Sequence, residues 1–127
     1  MRRAFTILEI LVAIIMVGIL AGLALPQFSI IKERALDKEA KANLVLIRAA
    51  QNVYHLENNA YCGSCSTTLD INTNLKLNFP TTSGSWVYNG TVLGYANQAR
   101  ATKDDGSRYW TINYTDNNDP ICNGTCL

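Results

Sequence analysis

Phe5-Thr6-Ile7-Leu8-Glu9, then Ile10-Leu11-Val12-Ala13-Ile14-Ile15-Met16-Val17-Gly18-Ile19-Leu20-Ala21-Gly22-Leu23-Ala24-Leu25 and finally Pro26, is the stretch that decides the fold. Residues 10–25 contain no polar side chain. At about 1.5 Å of rise per residue, a helix over residues 5–25 reaches the roughly 30 Å of a bilayer core. Arg2 and Arg3 precede it, so the positive-inside rule holds the N-terminus in the cytoplasm and sends the following residues outward. A cleaved secretory signal is the competing reading, because Gly22 and Ala24 have the small-residue spacing of a cleavage site; Pro26, two residues on, argues against it. Glu9 also argues against it. A carboxylate one turn inside an apolar segment costs about a few kcal/mol unless it finds a partner, so it is either a functional group or one that snorkels to the interface.

The rest of the composition narrows the field. The chain has 127 residues, 48% of them hydrophobic and 17% charged, which is the profile of one folded unit and not of a disordered polymer. Eleven Lys+Arg against ten Asp+Glu leave a net charge of +1, so a polybasic mode of nucleic-acid binding has no support. One histidine, His55, is too little for a His-rich metal site or a Ser-His-Asp triad.

Arg3-Ala4-Phe5-Thr6-x-x-Glu9, the long apolar run and Pro26-Gln27-Phe28 together resemble the N-terminus of type IV pilins and pseudopilins; the likeness covers residues 1–58 in kind. It implies a leader of residues 1–4. A prepilin peptidase would cut on the cytoplasmic side between Ala4 and Phe5 and methylate the new amine of Phe5. Ala4 departs from the glycine that the family usually carries before the cut. The resemblance also assigns Glu9 to assembly. In a bundle of apolar helices its carboxylate pairs with the Phe5 ammonium of a neighbouring subunit, so that neither charge is stranded in a low-dielectric core. Gly18, Gly22 and Pro26 weaken the helix, through low propensity and a missing N–H. The resemblance implies loss of helicity there on filament packing; a simple kink is the alternative.

Residues 5–28 are therefore read as the transmembrane or filament-core helix and residues 29–58 as its amphipathic continuation. Leu36, Ala40, Leu44, Ile47, Gln51 and Tyr54 recur at steps of three or four and mark one face, widened by Ala50 and Val53. Glu33, Asp37, Lys38 and Lys41 read as a solvated face with no binding role. Asn58-Asn59 ends the pattern. A straight helix to that point would be roughly 80 Å long.

Residues 59–127 are too few for a large core of their own and gain by packing on the apolar face of the helix. Residues 66–79 read as a connecting loop with anchors Leu69, Ile71, Leu75, Leu77 and Phe79. Strand patterns follow at residues 85–89, 94–102 and 108–114, and Lys103-Asp104-Asp105-Gly106 turns the second into the third. In the last strand Trp110, Ile112 and Tyr114 alternate to one side, with Tyr109, Thr111 and Asn113 on the other. The expected fold class is α+β: a long N-terminal helix, half transmembrane and half amphipathic, packed on a small antiparallel sheet headgroup. The resemblance implies the same pilin fold.

Cys62, Cys65, Cys122 and Cys126 all lie in the exported part, where disulfides persist. Three connectivities stay open; long-range bridges would close loops of roughly 60 residues and stabilise by about 4 kcal/mol each before strain. A redox Cys62-x-x-Cys65 centre and a four-thiolate zinc site are rival readings. Asp116 and Asp119, in Asp116-Asn117-Asn118-Asp119, are a calcium candidate by composition, and major pseudopilins of type II secretion carry calcium in a late loop; a polar turn before Pro120 is the alternative. Asn89, Asn113 and Asn123 head N-glycosylation triplets of a kind that arise by chance in such chains. Packing explains most of the aromatic residues more cheaply than electron conduction along a filament or base stacking on single-stranded DNA, and Arg100, Lys103 and Arg108 flank a turn whose Asp104 and Asp105 weaken any field for DNA.

The resemblance thus implies a non-enzymatic filament subunit without cofactors. Its partners would be copies of itself in a helical filament, the membrane before assembly, the prepilin peptidase, and an inner-membrane platform with its ATPase. It would move from the inner or cytoplasmic membrane to an extracellular pilus serving adhesion, twitching motility or DNA uptake; DNA is not supported by charge. The alternative within the class is a type II secretion pseudopilin. Outside it stand a membrane-tethered thiol oxidoreductase and a membrane-anchored binding protein.

Overall fold

A computed structural model describes residues 5–81, 84–91 and 97–126. The leader expected at residues 1–4, including Ala4, lies outside the described residues, as do residues 94–96 of the second expected strand. Helix α1 spans Ile7–Asn58. The chain divides into two compact units, Met1–Ala35 and Leu36–Leu127.

In the second unit α1 presents the stripe that its sequence spells. Ala40, Leu44, Ile47 and Gln51 are fully buried, and Leu36, Ala50 and Tyr54 pack against the same core; Val53 stays exposed. Asn59, at φ +55, takes the left-handed conformation that closes a helix C-terminus, and its N–H donates to the His55 carbonyl at 2.8 Å.

The segment expected as a loop at residues 66–79 contains a second helix, α2, Thr68–Asn74. Its cause is a reciprocal cap: the Asp70 N–H donates to Thr67 Oγ1 at 3.2 Å, and the Thr67 N–H donates to Asp70 Oδ2 at 3.0 Å. Asp70 is held below the usual carboxylate range by the Thr67 hydroxyl first of all. Of the five expected anchors Ile71, Leu75 and Phe79 are buried, Leu77 is partly so, and Leu69 faces outward. The Thr68 hydroxyl donates to the Tyr88 carbonyl at 3.2 Å and accepts from the Tyr88 N–H at 3.1 Å, which fixes α2 to the sheet.

The sheet is a meander of β1 (Trp86–Asn89), β2 (Gln98–Lys103), β3 (Arg108–Asn113) and β4 (Ile121–Gly124), each antiparallel to the next. Tyr88, Ala101, Trp110 and Cys122 stand in register across it. Ala99 and Ala101 on β2 leave space for the large side chains of Trp86, Tyr88 and Trp110 on the flanking strands, all within one core. The expected turn is present: the Gly106 N–H donates to the Lys103 carbonyl at 2.8 Å, with Gly106 at φ +69. Strand β4 was not legible as a strand. It needs Gly124, where φ is +104 and an added Cβ would lie 2.7 Å from the Ser107 carbonyl oxygen.

Candidate assembly interface

In the first unit Thr6 caps α1. Its hydroxyl accepts from the Glu9 N–H at 3.3 Å and its carbonyl accepts from the N–H groups of Glu9 at 3.1 Å and Ile10 at 3.3 Å. The same Thr6-x-x-Glu9 pair therefore has a local task, and it sets a carboxylate in the first turn, where the helix dipole favours it. Around it every large apolar side chain from Phe5 to Leu23 is exposed, from 42% at Val12 to 88% at Ile7. Phe5, Thr6, Ile7, Ile10, Leu11 and Ile14 line an open apolar hollow. Such a surface cannot remain in water; bilayer or other helices must cover it.

No single helix among the described residues is by itself long and apolar enough to cross a membrane; Ile7–Leu23 and Gln27–Asn58 meet the requirement of length and composition as a pair. The helix α1 includes Gly18, Gly22 and Pro26, with open space where a Cβ on either glycine would go. The side chain of Pro26 lies outside the described residues.

The headgroup corrects one reading of the charged face of α1. Asp37, expected to be solvated, is buried, and its Oδ1 accepts from Arg108 Nε at 2.7 Å. The Arg108 guanidinium stands 5.5 Å from the Trp86 ring, and the Lys41 ammonium 4.2 Å from that of Trp110. This buried pair links α1 to β3, and a heptad-like pattern has no way to announce a partner 71 residues on. Gln51 makes the second polar anchor: its Oε1 accepts from the Cys62 N–H at 2.9 Å and its Nε2 donates to the Gly90 carbonyl at 3.3 Å. The Tyr114 hydroxyl donates to the same Gly90 carbonyl. Burial, before any other cause, pushes the Tyr114 and Tyr88 hydroxyls above the usual phenol range.

Both disulfides are local. Cys62 pairs with Cys65 and Cys122 with Cys126, at Cα separations of 5.6 and 6.4 Å, so the long-range connectivities are set aside. Cys62 and Cys65 are buried in the core, a poor position for thiol exchange. The three basic residues weighed for DNA are engaged within the headgroup: Arg108 with Asp37, Lys103 with Asp105 at 3.2 Å, and Arg100 over the Tyr109 ring at 4.5 Å. Hydrogen bonds from Ser107 lead the causes that bring Asp105 down to about 2.

Asp116, the first carboxylate of the calcium candidate, already has hydrogen-bond partners within its own loop. Asp116 Oδ2 accepts from Asn113 Nδ2 at 3.1 Å and its Oδ1 from the Asn118 N–H at 3.2 Å, so both oxygens already serve the loop. Those bonds, the one from Asn113 first, hold Asp116 below the usual carboxylate range. Among the described residues no three His, Cys, Asp or Glu side chains converge as a metal site.

Sixty residues of the chain, 47% of it, are 40% identical to a "Type II secretion system core protein G" of Pectobacterium carotovorum and 38% identical to the protein of that name from Escherichia coli. A stretch of the same length is 36% identical to the "Type IV major pilin protein PilA" of Myxococcus xanthus. Over those sixty residues the chain is similar to type IV pilins and pseudopilins. Its long helix and four-stranded antiparallel sheet have the α+β architecture expected of that class. The match covers 38% of the Pectobacterium protein, 41% of that from E. coli and 27% of the pilin. No family model matches the chain, and no solved structure does.

The sequence reading singled out the apolar N-terminal segment, which the structure shows exposed, and missed residues that fix the headgroup. Asp37 and Arg108 were not foreseen as anchors, and Gln51 was placed on the packed face without its hydrogen-bond partners. The cap of α2 had a signal, Thr67-x-x-Asp70, that lay unread in a segment taken for loop.

Proposed function

We propose that the chain is a structural subunit of a pseudopilus-type filament that works in protein secretion. The observation that carries this is the exposed apolar surface from Phe5 to Leu23 on a chain whose other unit has its own buried core. One unit stands folded in water; the other demands a lipid or helical environment. Such a chain waits in the membrane and polymerises through its N-terminal helix, and chemistry at a catalytic centre is not needed. The recurrence of core protein G among its relatives, at 40% and 38% identity, puts the secretion reading ahead of the pilus reading.

On this proposal, cleavage between Ala4 and Phe5 exposes an amine that meets Glu9 of a neighbouring subunit, and the helix yields at Gly18, Gly22 and Pro26 as subunits pack. A prepilin peptidase and an inner-membrane platform with its ATPase act on it, and it passes from the inner or cytoplasmic membrane into the filament. Removing the Glu9 carboxylate strands the Phe5 charge in an apolar bundle, so Glu9→Ala should leave processed monomer in the membrane and few or no filaments in sheared fractions. Normal filaments from that variant would sink the assembly role of Glu9.

The 36% identity to a major pilin keeps a type IV pilus, with adhesion, twitching motility or DNA uptake, as the second reading. Deletion of the gene separates the two. Loss of exported enzymes with motility intact supports the secretion role; loss of twitching with export intact puts the pilus first.

A further inference from the structure

The segment between β3 and β4, residues 114–120, is rich in oxygen and has the composition of a calcium loop. Its main-chain oxygens nevertheless have a cationic partner already. Nη1 of Arg48 donates to the carbonyl of Asp116 at 3.1 Å and to the carbonyl of Asn118 at 2.9 Å. Arg48 follows the fully buried Ile47 on α1, so the helix that carries the core also delivers the guanidinium to the loop. Two carbonyls converging on one donor is the arrangement by which a loop would hold a metal ion, with nitrogen in the ion's place.

A calcium ion requires about six to eight oxygen ligands at about 2.3–2.6 Å. The hollow between the loop and the sheet is lined by Gln98, Thr111, Asn113, Asp116, Asn118 and Asp119 among others, with two carboxylates in all. One of them, Asp116, spends both oxygens on Asn113 and Asn118. The positive guanidinium opposes a divalent ion in the same loop by direct charge repulsion.

We infer that Arg48 is the resident cation of the β3–β4 loop, so that this headgroup holds the loop, and with it β4 and the Cys122–Cys126 closure, without calcium. The inference goes beyond the filament proposal and stands whether the filament serves secretion or a pilus. Charge-assisted hydrogen bonds to carbonyls are strong and geometrically demanding, which gives the arginine a task that an apolar residue of similar length cannot perform.

The test uses the full chain in detergent micelles. Proteolysis at residues 115–120 and the melting temperature are measured in excess Ca²⁺ and in excess EGTA, for the wild type, Arg48→Lys and Arg48→Met. The wild type should behave identically in both buffers. Arg48→Met should be cut faster in the loop by about tenfold or more, with Arg48→Lys in between, because local opening is governed by the contacts that close the loop. A wild-type melting temperature that rises with Ca²⁺, or protection of the wild-type loop by Ca²⁺, overturns the inference. So does an Arg48→Met loop as resistant as the wild type. Should Arg48→Met fail to fold, amide exchange at Asn118 in the wild type, with and without Ca²⁺, decides the matter: protection equal in both buffers supports the arginine, and protection only with Ca²⁺ refutes it.

Discussion

Ile14 and Ile47 are the same side chain on the same helix, yet Ile14 is 66% exposed and Ile47 is fully buried. The stretch around Ile14 is apolar on every side, and that around Ile47 only at steps of three or four. An all-round apolar helix cannot satisfy itself against one sheet; an amphipathic helix can. The first stretch is therefore matched to a bilayer or a bundle, and the second to the headgroup core. What separates them is not the content of isoleucine and leucine but where the charges interrupt it.

The largest effect in the headgroup is expected from Asp37→Ala, which removes the carboxylate that accepts from the Arg108 guanidinium, buried at 4% side-chain exposure. About 3–5 kcal/mol should be lost in urea unfolding of the full chain in micelles. Replacing both residues by apolar ones of similar volume should recover most of it. Next comes Ile47→Ala, at about 2–5 kcal/mol for a core cavity. Gly124→Ala must push a Cβ against the Ser107 carbonyl at φ +104, and about 1–3 kcal/mol is expected, visible as early amide exchange in β4.

Alkaline pH gives a smaller, graded effect. An unfolded Tyr114 ionises near 10.0, and burial raises the folded value above that. The folded chain keeps its proton, so this stability is whole below pH 10 and is lost as pH rises through the folded value, at about 1.4 kcal/mol per pH unit at most. Tyr114→Phe should flatten that limb in urea midpoints taken across it. The smallest effect belongs to Ile14→Ala. Headgroup unfolding should move by less than about 0.5 kcal/mol, since Ile14 is exposed and not among the residues of the core. Filament yield is where that substitution should be felt, and a headgroup shift as large as that of Ile47→Ala would break the comparison.

Much of the fold was readable because its signals are local. The stripe Leu36, Ala40, Leu44, Ile47 and Gln51, the helix end at Asn58-Asn59, and the Lys103-Asp104-Asp105-Gly106 turn each depend on residues within a few positions of one another. Helix α2 was equally local, and a run of spaced leucines hid its cap. Strand β4 was not local: Ile121 is exposed and nothing in Ile121-Cys122-Asn123-Gly124 alternates, so only the edge of β3 makes it a strand. Glu9 was singled out as a charge inside the apolar run and Phe5 through the resemblance, whereas the pairing of four cysteines had three solutions until the backbone brought Cys62 to Cys65 and Cys122 to Cys126.

By itself the sequence determined that one end of this chain is apolar on every side and the next stretch on one face only, because composition and periodicity need no partner. Only the tertiary structure decided that Asp37 meets Arg108, that Gln51 meets Gly90, and that Arg48 grips the loop before β4. Hydrogen bonds and ion pairs act over about 3 Å between residues far apart in the chain, and their partners exist only once the packing of the core has placed them.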